Sequence, residues 1–199
     1  IGGSVGGGIA WEMAALSPQL AQHLIPIATD WKATDWLMAN CYLQEQILNN
    51  SSRPIEDARI HAMLCYRTPE SFEVKFNRTI NDELGVFNIE SWLAHHGEKL
   101  QQRFQLASYK LMNQLLKTID ITRGRGSFES VVAPITANIH IIGINTDLFF
   151  TPIENRKTNL ELQKLQLQTS YQEIDSIHGH DAFLIEFEQL HRLLATVFE

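Results

Sequence analysis

Three residues far apart in the chain, Ser4, Asp147 and His180, are of the types that acyl-transfer chemistry needs. These are a hydroxyl nucleophile, a carboxylate and an imidazole that can carry a proton. Ser4 lies in Ile1-Gly2-Gly3-Ser4-Val5-Gly6-Gly7, where Gly2, Ser4 and Gly6 fill a G-x-S-x-G pattern. A serine in that pattern occupies a sharp strand-to-helix turn, and glycines two residues to either side remove side chains that would collide with it. In such a set His180 would take the proton from Ser4 during attack on an acyl carbonyl and return it to the departing group. Asp147 would fix the imidazole tautomer and stabilise its cation. The Val5 backbone amide would donate to the developing oxyanion. Each residue also has a plainer reading. The glycine pattern arises by chance, Asp147 suits a turn after a strand, and His180 suits a helix start.

Other clusters carry less. His178 competes with His180 as the base. His95 and His96 are adjacent, so on a helix they point to different faces, and no third ligand is spaced to join them; they read as polar-face histidines and no metal site is expected. Gly6-Gly7-Gly8 lacks the Gly-Lys-Ser/Thr of a phosphate loop.

The candidate residues need elements to hold them. Ile9, Ala10, Met13, Ala14 and Leu16 follow the serine at helical spacing, and Ser17-Pro18 ends that helix. His23–Ala28 reads as a short buried parallel strand in which Pro26 is awkward, since it removes a ladder donor and belongs at an edge or bulge. From Asp30 to about Phe128 the pattern is helical. Helices are expected over 33–49, 56–66, 89–104 and 106–118, another begins at Thr68-Pro69-Glu70-Ser71, and a loop covers 77–85. Asn138–Ile144 is a strand buried on both faces and leads into Asn145-Thr146-Asp147. Residues 153–167 make a helix, Thr169–Asp175 a strand, and Phe183, Phe187, Leu190, Leu194 and Val197 a closing helix. Ser4, Asp147 and His180 all fall beyond carboxyl ends of strands, where ligands bind in open α/β sheets. The expected class is α/β. Residues 1–29 hold the elbow, its helix and a strand, 30–128 a helical insertion, and 129–199 the remaining core.

At 199 residues and 44% apolar content the chain can build one sizeable core. Its net charge of −7, with few and scattered basic residues, argues against nucleic acid or an anionic membrane as partner. Cys41 and Cys65 match no metal or redox spacing and read as reduced core thiols. No run is long and apolar enough for a membrane span, and residues 1–16 lack the form of a signal peptide, so a cytoplasmic protein is expected.

Taken together, Gly2-Gly3-Ser4-Val5-Gly6-Gly7, Asp147-Leu148-Phe149-Phe150-Thr151-Pro152 and Gly179-His180-Asp181-Ala182-Phe183-Leu184 resemble the homoserine O-acetyltransferases of the α/β-hydrolase superfamily. The order Ser, Asp, His is that of α/β-hydrolase triads. Ala58-Arg59-Ile60 through Tyr66-Arg67-Thr68, Phe87–Leu93, and His96-Gly97-Glu98-Lys99 through Ser108-Tyr109 are similar to the family's lid. The resemblance implies the C-terminal portion of an α/β-hydrolase fold with a helical lid. It implies transfer of acetyl from acetyl-CoA, as a co-substrate with no tightly bound cofactor, through acyl-Ser4 to homoserine in methionine biosynthesis. By position Arg59 would bind the acceptor carboxylate, Tyr66 would line its pocket and Asp181 would pair with its amine. The lid would form a homodimer. Thr151 departs from the family's usual proline. Relatives also carry a segment before the elbow with the first strands and a second oxyanion donor, so a fragment or nicked chain is expected, with a partner-supplied front half or a degenerate remnant as alternatives. The other readings left open are a serine O-acetyltransferase, a homoserine O-succinyltransferase, a plain esterase, and an inert module serving assembly.

Overall fold

The computed structural model describes residues 1–198. The chain runs β1 (Gly2–Gly3), α1 (Val5–Leu16), β2 (His23–Leu24) and β3 (Pro26–Ile27), then α2 (Asp35–Asn50), α3 (Pro54–Tyr66) and α4 (Pro69–Phe76). A small hairpin follows, β4 (Ile80–Asn81) and β5 (Val86–Phe87), then α5 (Asn88–Arg103), α6 (Leu106–Lys117) and α7 (Phe128–Val132). The chain closes with β6 (Asn138–Ile144), α8 (Pro152–Lys164), β7 (Thr169–Ile174), a 3-10 turn over Gly179–Leu184 and α9 (Phe187–Phe198).

β6 is the axis of a parallel sheet. It pairs on one side with β7, from Ile139↔Thr169 to Ile144↔Ile174, and on the other with β2 and β3, while β1 joins the outer side of β3. Side chains alternate between the two faces of a strand, and both faces of β6 are covered, so apart from Asn138 and half-buried His140 its residues are apolar. Ile139 and Ile141 pack with Trp11, Val132 and Leu162 on one face, whereas Ile142 and Ile144 pack with Ile25, Ile27 and Ile174 on the other. The second face is covered by α9 through half-buried Leu190, Leu193, Leu194 and Val197.

Several elements differ from expectation. The single strand anticipated over 23–28 is two short ones inside the sheet. Pro26 has no N–H to give, and the ladder to β6 is interrupted between Leu24↔Ile139 and Ile27↔Ile142. Although the sequence begins one residue before the G-x-S-x-G pattern and so offers no strand-length run ahead of Ser4, Gly2–Gly3 form a short strand paired with β3. The loop anticipated over 77–85 contains the turn and first strand of the hairpin, paired Ile80↔Phe87 and Asn81↔Val86. Phe183 belongs to the 3-10 turn, not to the closing helix, which begins at Phe187.

Helix starts follow capping chemistry. Thr34 and Thr68 accept the amides of Leu37 and Ser71, and Pro54, Pro69 and Pro152 occupy first-turn positions where no N–H is needed. The helices α2, α3, α5 and α6 pack on one another and meet the sheet through a cluster of Ala33, Leu37, Cys41, Phe149 and Phe150.

Candidate active site

Ser4 forms the junction of β1 and α1, with φ 53° and ψ −125°. A positive φ strains a residue that carries a Cβ. Two contacts hold it there: the Ser4 amide donates to the Ile27 carbonyl at 2.9 Å, and the Gly7 amide donates back to the Ser4 carbonyl at 2.9 Å. Of the two flanking pattern glycines only Gly2 is demanded by space, since a Cβ there would sit 2.3 Å from the Gly6 carbonyl oxygen. A Cβ on Gly6 would meet nothing within 4 Å, so the expectation that both relieve crowding fails for Gly6.

The three chemistry-bearing residues meet. The Ser4 hydroxyl lies 2.9 Å from His180 Nε2, and His180 Nδ1 lies 2.8 Å from Asp147 Oδ2. The other Asp147 oxygen accepts the amides of Phe149 at 2.7 Å and Phe150 at 2.9 Å, so the loop after β6 fixes the carboxylate. Its side chain is 0% exposed and that of His180 is 4% exposed. The imidazole sits in an aromatic box of Tyr66, Phe149, Phe150 and Phe183, with ring centroids 5.1–5.8 Å away. This geometry directs the Nδ1 proton to Asp147 and leaves Nε2 to receive the hydroxyl proton. Val5 opens α1, so its amide is one that a helix cannot satisfy internally. His178 points elsewhere, with Nδ1 3.0 Å from Ser71 Oγ and 3.3 Å from Arg67 Nη1.

Beside Ser4 a cavity of about 200 Å³ opens under the lid, lined by Ser4, Val5, Arg59, Tyr66, Phe149 and side chains of α2, α3, α5 and α6. Arg59 is half-buried, stacks 5.7 Å from the Tyr66 ring, and has no ion-pair partner among the described residues. Burial holds the Tyr66 phenol well above its ordinary range and pushes that of Tyr109 up to about 12, so both remain neutral donors. The rest of the lining is a pre-satisfied network. Gln44 donates to the Ala58 carbonyl and His61 Nδ1 and accepts from Tyr109, while Asn113 donates to the Cys41 carbonyl. Burial lowers the His61 pKa, consistent with a neutral ring whose Nδ1 accepts.

Some expectations are revised. Asp181 does not line this cavity; its Oδ2 takes Arg67 Nε at 3.0 Å. Cys41 and Cys65 are free thiols of a core cluster, as expected, but they also border the cavity, and burial raises the pKa of each, Cys41 to about 11. His96 is not simply a polar-face residue, because its ring packs 4.2 Å from Trp92 and desolvation, aided by nearby Arg59, brings its pKa down to about 4. Gln44, Asn113, Tyr109 and Arg67 were not anticipated as site residues. For Gln44 and Asn113 the available signal is a buried polar side chain on a helix stripe otherwise facing apolar neighbours.

A parallel sheet with a serine on a strand-to-helix turn, and an acid and a histidine on later strand ends, defines an α/β-hydrolase-fold protein. Known structures agree on that fold. Homoserine O-acetyltransferase from Bacillus anthracis superposes with a TM-score of 0.84 at 19% identity over 96% of this chain and 57% of its own. Esterase E22 superposes with a TM-score of 0.84 at 14% identity over 96% and 58%. No family model matches the chain. In sequence it is 33% identical to homoserine O-acetyltransferase from Cyclobacterium marinum, over 100% of this chain and 58% of that protein. It is 34% identical to the Thermus thermophilus enzyme of that name, over 98% and 51%. Within the fold class, the chain is similar in sequence to proteins named homoserine O-acetyltransferase. It spans between half and three-fifths of the length of these relatives. No helix among the described residues is long and apolar enough to cross a membrane.

Proposed function

We propose that the protein is an acyltransferase that carries an acetyl group from acetyl-CoA on Ser4 and delivers it to the side-chain hydroxyl of homoserine, in methionine biosynthesis. The observation that carries this reading is the adjacency of two features: a hydrogen-bonded Ser4–His180–Asp147 chain, and a small cavity beside it whose one charge without an ion-pair partner among the described residues is Arg59. A plain hydrolase needs the first and gains nothing from the second.

In the first half-reaction Ser4 attacks the thioester carbonyl, His180 accepts the hydroxyl proton, and the tetrahedral oxyanion forms against the Val5 amide. Collapse expels the thiol, which leaves with the proton from His180. In the second, Arg59 grips the acceptor carboxylate through its planar fork, with Tyr66 packed beside it. The acceptor hydroxyl then gives its proton to His180 and attacks the acyl-serine; collapse of the second tetrahedral oxyanion breaks the acyl–Ser4 bond, and Ser4 Oγ leaves with that proton from His180. Holding the acceptor raises its effective concentration far above what a freely diffusing nucleophile reaches, which is how it competes with water. Asp181 is not assigned to the acceptor amine in this reading, because Arg67 occupies its carboxylate.

Acetyl-CoA acts here as a co-substrate without a tightly bound cofactor. A cytoplasmic setting and a homodimer through the lid fit the reading; exposed Trp36, Tyr42 and Leu43 on α2 and Leu111 on α6 are the side chains available for that contact.

The test is a steady-state comparison of acceptors and donors. Homoserine should be acetylated at least tenfold faster than serine or water, and acetyl-CoA should exceed succinyl-CoA by a similar margin. Equal rates with and without an amino-acid acceptor would overturn the transferase reading in favour of an esterase. Preference for serine or succinyl-CoA would reassign the substrate.

A further inference from the structure

The lid touches the catalytic turn at one corner. Tyr66 ends α3, Arg67 follows it, and Thr68 caps α4. From the sheet, the segment leaving β7 passes through Ile177 and His178 into the turn that bears His180. Arg67 Nε donates to Asp181 Oδ2 at 3.0 Å, while Arg67 Nη1 and Ser71 Oγ lie 3.3 and 3.0 Å from His178 Nδ1. The Thr68 hydroxyl donates to the Ile177 carbonyl. The two members of the ion pair are only 17% and 16% exposed.

The fit beneath this corner is close. Gly179 has φ +65°, and a Cβ on it would lie 3.0 Å from the Tyr66 carbonyl oxygen. Glycine is required there both by the backbone angle and by the approach. Arg67 therefore grips the residues on both sides of His180, at one position after it and two before it. None of the proposed chemical steps uses Arg67, His178 or Ser71. A desolvated ion pair is also a poor way to gain stability alone, since dehydrating the charges offsets much of their attraction, whereas it holds a fixed arrangement well.

We propose that Arg67 is a positioning residue: by clamping Asp181 and His178 it docks the lid onto the catalytic turn and keeps the His180 ring in line with Ser4. Lid docking and triad alignment are then one state. The inference rests on the reading of Ser4 as nucleophile and His180 as base, and not on the identity of the acceptor.

The experiment compares the protein with Arg67→Met, Asp181→Asn, the double variant and Arg67→Lys, well below their unfolding temperatures. The first readout is the second-order rate of Ser4 labelling by a fluorophosphonate as a function of pH, which needs His180 aligned but no acceptor. The second is deuterium exchange of residues 176–184. Each single variant should label about 10- to 100-fold more slowly at every pH, as expected for a base displaced by about 1 Å. The double variant should be no slower than the worse single. Arg67→Lys should fall between, because an ammonium cannot reach both Asp181 and His178 as a fork does. Exchange over 176–184 should rise in all four. Unchanged labelling, or losses that multiply in the double variant, would overturn the clamp. If the unsubstituted protein is not labelled at Ser4, the nucleophile assignment fails instead, and unchanged exchange in the variants would still overturn the clamp.

Discussion

The triad and the cavity beside it are held in opposite ways. Ser4, Asp147 and His180 sit on turns at strand ends, Asp147 and His180 almost without exposure and Ser4 half-buried, and the Asp147 carboxylate is fixed by backbone amides from its own loop. The cavity wall is built from side chains on lid helices, joined by contacts between residues as distant as Gln44 and Tyr109. The three triad members partner one another, whereas the cavity keeps one charge, Arg59, without a counter-ion among the described residues. The difference separates chemistry from choice. On the proposed reading, the sheet supplies the acyl-transfer residues and the lid cavity chooses what receives the acyl group.

Substitutions can break each side separately. Ser4→Ala should remove acyl transfer by about 10⁶-fold and abolish labelling at that peptide, since no other hydroxyl is paired with His180. Asp147→Asn should lower the rate by about 10⁴-fold by presenting the wrong imidazole tautomer; a loss below about tenfold would mean that the aromatic box alone orients the ring. On the cavity side, Arg59→Ala should raise the acceptor KM by about 30-fold, the scale of one charge-assisted hydrogen-bonded pair, and a change confined to kcat would contradict the assignment.

A smaller effect tests the support beneath both. Asp30 is buried at the end of β3, bonded to Thr158, Asn155 and the Trp31 amide, and desolvation raises its pKa to about 6. Its neutral form is favoured in the folded state, so its contribution to stability is full below the unfolded pKa near 4 and is lost as pH rises through about 6. Asp30→Asn should therefore flatten the fall in thermal stability between pH 4 and 7, and gain of order 1–3 kcal/mol at pH 7. An unchanged profile would show that Asp30 ionises freely when folded. The smallest contrast lies in the elbow: Gly6→Ala should be neutral or stabilising by up to about 1 kcal/mol, while Gly2→Ala should be strongly destabilising, because only Gly2 faces the Gly6 carbonyl.

What the sequence revealed follows the same division. The elbow, β6 and the Gly179-His180 turn are written locally, through a glycine pattern and a strand-length apolar run, so Ser4, Asp147 and His180 were legible along with most helix spans. Pro26 misled because it lies inside the sheet, where its missing donor splits one strand in two. The partner of Asp181 was illegible for a different reason. Arg67 is 114 residues away, and no local period encodes which lid side chain will meet the catalytic turn. The polar network around Gln44 is hidden likewise, since each member reads as an isolated polar residue on an apolar helix face.

In the proposed reaction Ser4 carries the acyl group and the lid cavity selects its acceptor. Mass measurement of the protein after brief exposure to acetyl-CoA, then after addition of homoserine, tests both halves at once. One acetyl group is expected on the peptide containing Ser4, discharged at least about tenfold faster by homoserine than by water. An acetyl group elsewhere, or discharge at the same rate with and without homoserine, would contradict it.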